Sequence, residues 1–389
     1  MEYIDLIGFG HTPFGRRPHC SVQALMQQAA QEALNDAGFE GADIDAVVIS
    51  HFNHGFSEQG FTAGLSAALA PGLQGCPAIR VESACASGAA AVHVGAQAIL
   101  SGRAQRVLVI GVEAMTHLTS VQAGRLLLKA SHVDSEADTP AGFAGLFARA
   151  ADAYAKRFAD PSMAMARIAH KNLSNGAANS LAHFRRPMDL AACSVVSADN
   201  PHVMGRLKLS DCSPISDGAA AIVMSHAQAH SKGDDVVSLR AMAQFNDFLP
   251  LAARDASVLH GAGVAWRHAL SEARVTLNDI DCVETHDCFS IAELMQYEAM
   301  GLTGLGEGAR ALEEGWVFPD GRLPINLSGG LKSKGHPIGA TGVSMHVMAS
   351  RQLLGRYGTQ WLKSPELAGV FNMGGAGVAN LVSILERVK

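Results

Sequence analysis

Apolar and polar positions along this chain follow two periods that alternate. Residues 21–39, SVQALMQQAAQEALNDAGF, set apolar positions at helical spacing and stop at Gly38, which predicts an amphipathic helix closed by glycine. Asp43-Ile44-Asp45-Ala46-Val47-Val48-Ile49 is short and β-branched and predicts a strand. The same order of events returns far downstream. Residues 256–275, ASVLHGAGVAWRHALSEARV, predict a helix, and Asp279-Ile280-Asp281-Cys282-Val283-Glu284 repeats the acidic phrase behind it. A second echo supports the first. Cys85-Ala86-Ser87-Gly88 opens an alanine-rich helix, and Gly339-Ala340-Thr341-Gly342 opens another, VSMHVMASRQLL. Two halves of alternating strand and helix imply an α/β fold of two sheets related by a pseudo-twofold.

The polar, glycine-containing stretch 225–235, SHAQAHSKGDD, divides the chain into halves at 1–230 and 231–389. The first half is too long to match the second, and the surplus lies at about 117–200. Helical stretches at 140–160 and 162–174 and the turn-rich KNLSNGAANS predict an inserted domain packed over the first half, a natural place for a ligand lid.

Composition narrows the class. Charged residues make up 17% of the 389, against roughly 25% in an average domain. Glycine supplies 40 residues, and aromatics only 6% of a chain that is 48% hydrophobic, so the apolar content is small and aliphatic. A net charge of −6 offers no basic surface for nucleic acid, and the hydrophobicity is too high for disorder. No uninterrupted apolar run predicts a membrane span, and MEYIDLIGFG does not resemble a secretory signal. Seven cysteines, sparse and odd in number, describe no disulfide framework and point to a reducing cytoplasm. The charge deficit is consistent with surface hidden in an oligomer.

Four motifs can carry chemistry. In Val81-Glu82-Ser83-Ala84-Cys85-Ala86-Ser87-Gly88 a strand hands over to a small-residue helix, and a cysteine at a helix N-terminus is biased toward thiolate. A buried, inert cysteine fits the same residues. Glu284-Thr285-His286-Asp287-Cys288-Phe289 follows the second repeat's strand, where α/β proteins place sites, and offers a hydrogen-bond donor and an acid/base thiol. A surface turn is the bland alternative, and His-x-Cys alone lacks the other ligands of a metal site. The run 329–342, GGLKSKGHPIGATG, fixes a tight backbone around His336, and a base with Cys85 makes an activated nucleophile. Asn372-Met373-Gly374-Gly375-Ala376-Gly377 is either an oxyanion hole of backbone amides or a turn into the last strand. Gly8-Phe9-Gly10 is no dinucleotide fingerprint, because Pro13 stands where its helix would open, and no P-loop occurs.

Cys85 in ESACASG, His286 and Cys288 in HDCF, and His336 in GHPIGATG resemble a thiolase. The resemblance spans almost the whole chain, taking in Thr12-Pro13-Phe14-Gly15 and Ser216-Asp217-Gly218. HDCF and HKNLSNGAAN are similar to the sterol-carrier-protein-2 type. It implies a five-layer αβαβα sandwich of two halves with an inserted loop domain, acting on acyl-CoA and CoA as substrates, with no tightly bound cofactor and no metal. It implies that Cys85 becomes acylated, that His336 takes its proton and lines one oxyanion hole, and that His286 holds a water or the thioester oxygen. Cys288 is then the second acid/base, the amides of Cys85 and Gly374 form the second oxyanion hole, and Ser213 contacts the pantetheine arm. Many thiolases carry their second cysteine in a C-x-G turn near the C-terminus. Here Asn372-Met373-Gly374 stands there without a thiol, and Cys288 replaces it. The same set also suits a ketoacyl-synthase-like or small-acceptor acyltransferase. A homodimer or homotetramer is implied, and some similar chains work with a small OB-fold partner.

Overall fold

The computed structural model describes residues 4–227, 236–357 and 362–388. Most of the expected boundary at 225–235 therefore lies outside the described residues. The chain opens with β1 (Ile4–His11), α1 (Val22–Ala37), β2 (Ala46–Ser50), β3 (Ala78–Val81), α2 (Ser87–Leu100) and β4 (Arg106–Glu113). A largely helical segment follows: α3 (Ser120–Leu127), α4 (Val133–Glu136), α5 (Phe143–Arg157), α6 (Ser162–Ala177) and α7 (Leu190–Ser194), then the short hairpin β5 (His202–Met204) and β6 (Leu207–Lys208). Strand β7 (Gly218–His226) returns to the first half. The second half runs through β8 (Val236–Asn246), α8 (His260–Ala273), β9 (Cys282–Thr285), α9 (Ser290–Ala299), α10 (Gly308–Glu313), α11 (Gly330–Lys334), α12 (Ile338–Leu353), β10 (Leu367–Gly374) and β11 (Ala379–Val388).

The internal repeat is real at the level of caps. Helix α1 starts at the Ser21 N-cap and ends on Gly38 in the left-handed conformation (φ 70°). Helix α8 ends on Arg274 in the same conformation (φ 56°). A one-turn 3-10 helix with a reciprocal capping box, Glu40 with Asp43 and Thr276 with Asp279, ends on the first residue of each acidic phrase, with two residues between it and the strand. The strands therefore begin a little later than the phrases, at Ala46 and Cys282.

Nine strands line up as β3-β2-β4-β7-β1-β8-β11-β10-β9. Two half-sheets are visible within this order, parallel β3-β2-β4 in one and parallel β9-β10 in the other, each continued by antiparallel strands. They join where β1 pairs with β8 over only three positions, Ile4 to Leu6. Helices α2 and α12 pack on each other and on strands of both halves, while α1 covers β1 and β7 and α8 covers β8 and β11. This gives the five layers. The middle helices explain the charge-poor composition: every residue of α12 except Arg351 is buried, and α2 buries Ser87 through His93 without a break. No described helix is long and apolar enough to cross a membrane.

Two quoted motifs turn out to be supports. The Asp217 carboxylate accepts the amides of Met115 and Thr116, the latter at 2.8 Å, and so fixes the chain leaving β4. A side chain at Gly218 would strike the Phe14 ring.

Candidate active site

Three loops at the ends of the middle helices and of β9 bring the sequence candidates together. Cys85 sits on the turn into α2. Ala84 before it holds φ 49°, a left-handed conformation that costs a non-glycine residue energy and lifts the next side chain out of the turn. Ser87 staples this turn, donating to the Ala84 carbonyl at 2.5 Å and accepting from the Ser83 amide at 2.8 Å. One donor atom each of Cys85, His286 and His336 lies within 4.8 Å of the others, and all three residues are buried. Among the described residues this is also the one group whose donors are close enough to share a metal ion.

The hydrogen bonds fix opposite tautomers on the two histidines. Thr341 Oγ1 donates to the Pro337 carbonyl at 2.9 Å, so its oxygen accepts Nδ1–H of His336 at 2.7 Å. Nε2 of His336 then carries a lone pair and can act as a base. On His286 the order is reversed. Asn372 uses Oδ1 to accept the Ala89 amide at 3.3 Å, and its Nδ2 donates to the Cys85 carbonyl (3.0 Å) and to Nδ1 of His286 (2.9 Å). The proton of His286 is left on Nε2, where it can bind a developing oxyanion. The rings meet edge to face, centroids 5.1 Å apart. Burial, with help from Lys334, pulls His336 down to about 3, and burial followed by His336 lowers His286 well below its ordinary value. Both imidazoles are neutral at pH 7, as a base and a donor of this kind must be.

The thiols differ from the sequence expectation. The helix N-terminus does not make Cys85 a resting thiolate. Burial first, then Glu113 and Glu82, push it up to about 12, outweighing the hydrogen bonds from the Gly375 amide and its own amide. Cys85 is a neutral thiol, which could act as a nucleophile only with a base beside it. Cys288 is also buried and raised well above its ordinary value, by burial and then by Cys85 itself. His286 and Cys288 both lie near enough to Cys85 to be felt electrically or to share its donor cluster, while the Asp287 carboxylate between them is taken up by Asn172 and the Leu331 amide. The Gly375 amide bonds the Cys85 sulfur, beside Gly374, the residue expected in the oxyanion hole. Gly374 is the last residue of β10, packed so close to the Ser83 carbonyl that no side chain fits.

Ser213 lines a cavity of about 580 Å³ between the inserted segment and the 209–214 stretch, with Arg185, Arg186 and Lys332 also on its wall. The Ser213 amide donates to the Cys288 carbonyl at 3.0 Å, which ties this wall to the loop of His286 and Cys288. Lys332 is anchored by the carbonyls of Leu209 (3.1 Å) and Cys212 (2.8 Å). Asn372 and Thr341 escape a reading of the sequence as functional residues, because their roles depend on partners far away in sequence or on one hydroxyl in a glycine-rich run.

Family models match both halves: the thiolase N-terminal domain over residues 4–228 and the thiolase C-terminal domain-like model over 243–387. An acetyl-CoA acetyltransferase of Methanothermobacter thermautotrophicus is 36% identical over 100% of both chains. Sterol carrier protein 2 of Homo sapiens is 30% identical over 97% of this chain and 71% of its own length. Among solved structures, the Ltp2-ChsH2(DUF35) aldolase superposes with a TM-score of 0.84 over 99% of this chain and 98% of its own, at 21% identity. Human mitochondrial 3-ketoacyl-CoA thiolase does so at 0.75, with 18% identity, over 100% and 99%.

Proposed function

The chain belongs to the thiolase family and is an acyltransferase, and we propose that it cleaves 3-ketoacyl-CoA, or condenses acetyl-CoA, by a ping-pong route through an acyl group on Cys85. The observation that carries this reading is the pair of opposed histidine tautomers beside one buried thiol. In the cleavage direction His336 Nε2 takes the Cys85 proton as sulfur attacks the C3 carbonyl. Nε2–H of His286 and the amides of Cys85 and Gly374 stand ready for negative oxygen. The C2–C3 bond breaks, and Cys288 gives its proton to C2 of the departing enolate. The Cys288 thiolate takes the proton of incoming CoA, CoA sulfur attacks the acyl group, and His336 returns its proton to Cys85. Incubation with acetyl-CoA should leave one acetyl group on Cys85 by mass spectrometry; an unmodified Cys85 under turnover conditions overturns the reading. Cys288 speaks against a ketoacyl-synthase-like reaction, since decarboxylative condensation needs no second thiol.

The cavity beside Ser213 suits the CoA arm, with Arg185 and Arg186 placed for its phosphates. Strand β3 is an open edge of the sheet, and Ile79 on it is 51% exposed. We assign this edge to a second copy of the chain, in a homodimer or a tetramer of such pairs. The aldolase neighbour is paired by name with a DUF35 component, and a small OB-fold partner is an open assignment for this chain. Seven free thiols, two of them needed as thiols, fit a reducing cytoplasm.

A further inference from the structure

The sequence HKNLSNGAAN has a job that the reaction itself does not use. Lys171, Asn172, Asn175, Gly176 and Asn179 fall within one face of α6 and its continuation, at offsets of one, four, five and eight residues. Each of them meets a segment that carries catalytic residues. Lys171 Nζ binds Glu293 at 2.9 Å and the Ile325 carbonyl at 2.7 Å. Asn175 Nδ2 donates to the Asn326 carbonyl at 3.1 Å and Asn179 Nδ2 to the Ser328 carbonyl at 2.9 Å. Gly176 packs on Ser333 and Gly329 so closely that no side chain fits. Asn172 Nδ2 donates to Glu293 at 2.6 Å and to Asp287 Oδ2 at 2.7 Å.

Asp287 is the hinge pin of this set. It sits between His286 and Cys288, and its carboxylate also accepts the amides of Leu331 (2.6 Å) and Lys332 (3.1 Å), in the turn leading to His336. One side chain therefore ties two catalytic loops together, and Asn172 holds that side chain from the inserted domain. Gly330 is needed beneath it, because a Cβ there would strike the carboxylate. The set is an expensive way merely to pack a helix. Buried carboxylates and buried ammonium groups are gathered here, Lys171 on Glu293 and Lys332 and Lys334 near Asp287, an arrangement that apolar residues of equal volume commonly match in stability. What directional bonds supply, and apolar packing does not, is a defined distance and angle.

We propose that this face of α6 is a splint for the catalytic loops, in which Asn172, acting through Asp287, sets His286, Cys288 and His336 at their working positions. Asn172 and Asp287 are positioning residues; neither touches reacting atoms. The proposal rests on the thiolase reading, and its test keeps the two apart. Asn172→Ala and Asp287→Asn are compared with Leu34→Ala, a cavity variant in the core under α1 and remote from the site. In Asp287→Asn one accepted bond becomes donor against donor while side-chain volume is kept, so it gives the same reading should Asn172→Ala fail to fold. For acetoacetyl-CoA thiolysis well below Tm, kcat should fall by about 10²-fold in both site variants, the scale of a small misplacement of reacting groups. KM should stay within about threefold, since the one cavity residue concerned, Lys332, keeps its side chain on the Leu209 and Cys212 carbonyls. The rate of Cys85 acetylation, which uses His336, and thiolysis, which uses Cys288, should fall together. Leu34→Ala should lose Tm and keep kcat. If the two site variants behave like Leu34→Ala, losing Tm with kcat within about twofold, the splint is refuted. If the parent enzyme itself never acetylates Cys85, the functional reading has failed instead.

Discussion

Replacing Thr341 by valine isolates the tautomer of His336 with almost no change of volume. The Thr341 hydroxyl is completely buried and is the acceptor for Nδ1–H of His336 at 2.7 Å. Valine removes that acceptor and leaves a buried N–H unpaired whenever Nε2 is the free base. An unpaired buried donor costs about 1–3 kcal/mol. The active tautomer is penalised by that amount before any attack begins, so acylation should slow by a factor of about 5 to about 160 at 25 °C. The assay is rapid-quench acetylation of Cys85 by acetyl-CoA, followed by mass, at a temperature where both proteins are fully folded. The Cys85 thiol is pushed up to about 12, so no resting thiolate is present near neutral pH to mask the loss of the base. An acetylation rate within about twofold of the parent would show that the Thr341 bond does not select the working tautomer, and the assignment of His336 as base would fall with it.

Three further outcomes follow from the same geometry. Cys288→Ala should cut acetoacetyl-CoA thiolysis by about 10²–10⁴-fold, the usual worth of a general acid, while Cys85 still traps an acetyl group from acetyl-CoA, whose thiolate leaves without protonation at carbon; unchanged thiolysis would move the acid elsewhere. Burial lowers His336 and His93 to about 3 and His346 to about 4, and takes His11 and His286 well below their ordinary value, so the unfolded chain binds about five more protons at these groups than the native one as pH falls below the ordinary histidine value. Asp287, raised to about 7 by burial and then by Glu293, works in the opposite sense over the same window, since the native carboxyl takes its proton first. The balance is about four protons, and stability should fall by about 5 kcal/mol per pH unit near pH 5; urea midpoints that stay constant from pH 7 to 5 would contradict it. Arg185→Gln with Arg186→Gln should raise KM for CoA by about tenfold with kcat little changed, the pattern of lost ground-state binding; an unaltered KM would place the CoA phosphates away from this cavity.

How much of the molecule is legible in the chain depends on how local each signal is. The halves are readable because their markers are short: a glycine after a helix, an acidic phrase that caps a 3-10 turn, a small-residue turn that opens a buried helix. Helices expected at 140–160 and 162–174 are observed at Phe143–Arg157 and Ser162–Ala177. The ladder contact between β1 and β8 has no such marker, since three residues of pairing leave no trace in the pattern. Cys85, His286, Cys288 and His336 stand out because each lies in a motif whose backbone is constrained. Their protonation states do not. The helix N-terminus acts on Cys85 locally, whereas burial is assembled from the whole fold, and at this thiol burial outweighs the backbone amides.

Asn372 shows what a departure from a family pattern can conceal. Read alone, it is a missing thiol. In the structure its amide bridges Cys85 and His286, an act a cysteine at that position would perform poorly, since sulfur is a weak donor. In the proposed reaction the acid, Cys288, lies on the loop that carries His286, and Asn372 orients that histidine through Nδ1. The proposed oxyanion donor and the proposed proton donor then stand two residues apart on one segment. A single side chain between them, Asp287, can then anchor both, and the same carboxylate reaches the turn before His336. The asparagine at 372, the HDC order at 286–288 and the asparagine-rich face of α6 are one arrangement, and changing any member alone should misplace the others.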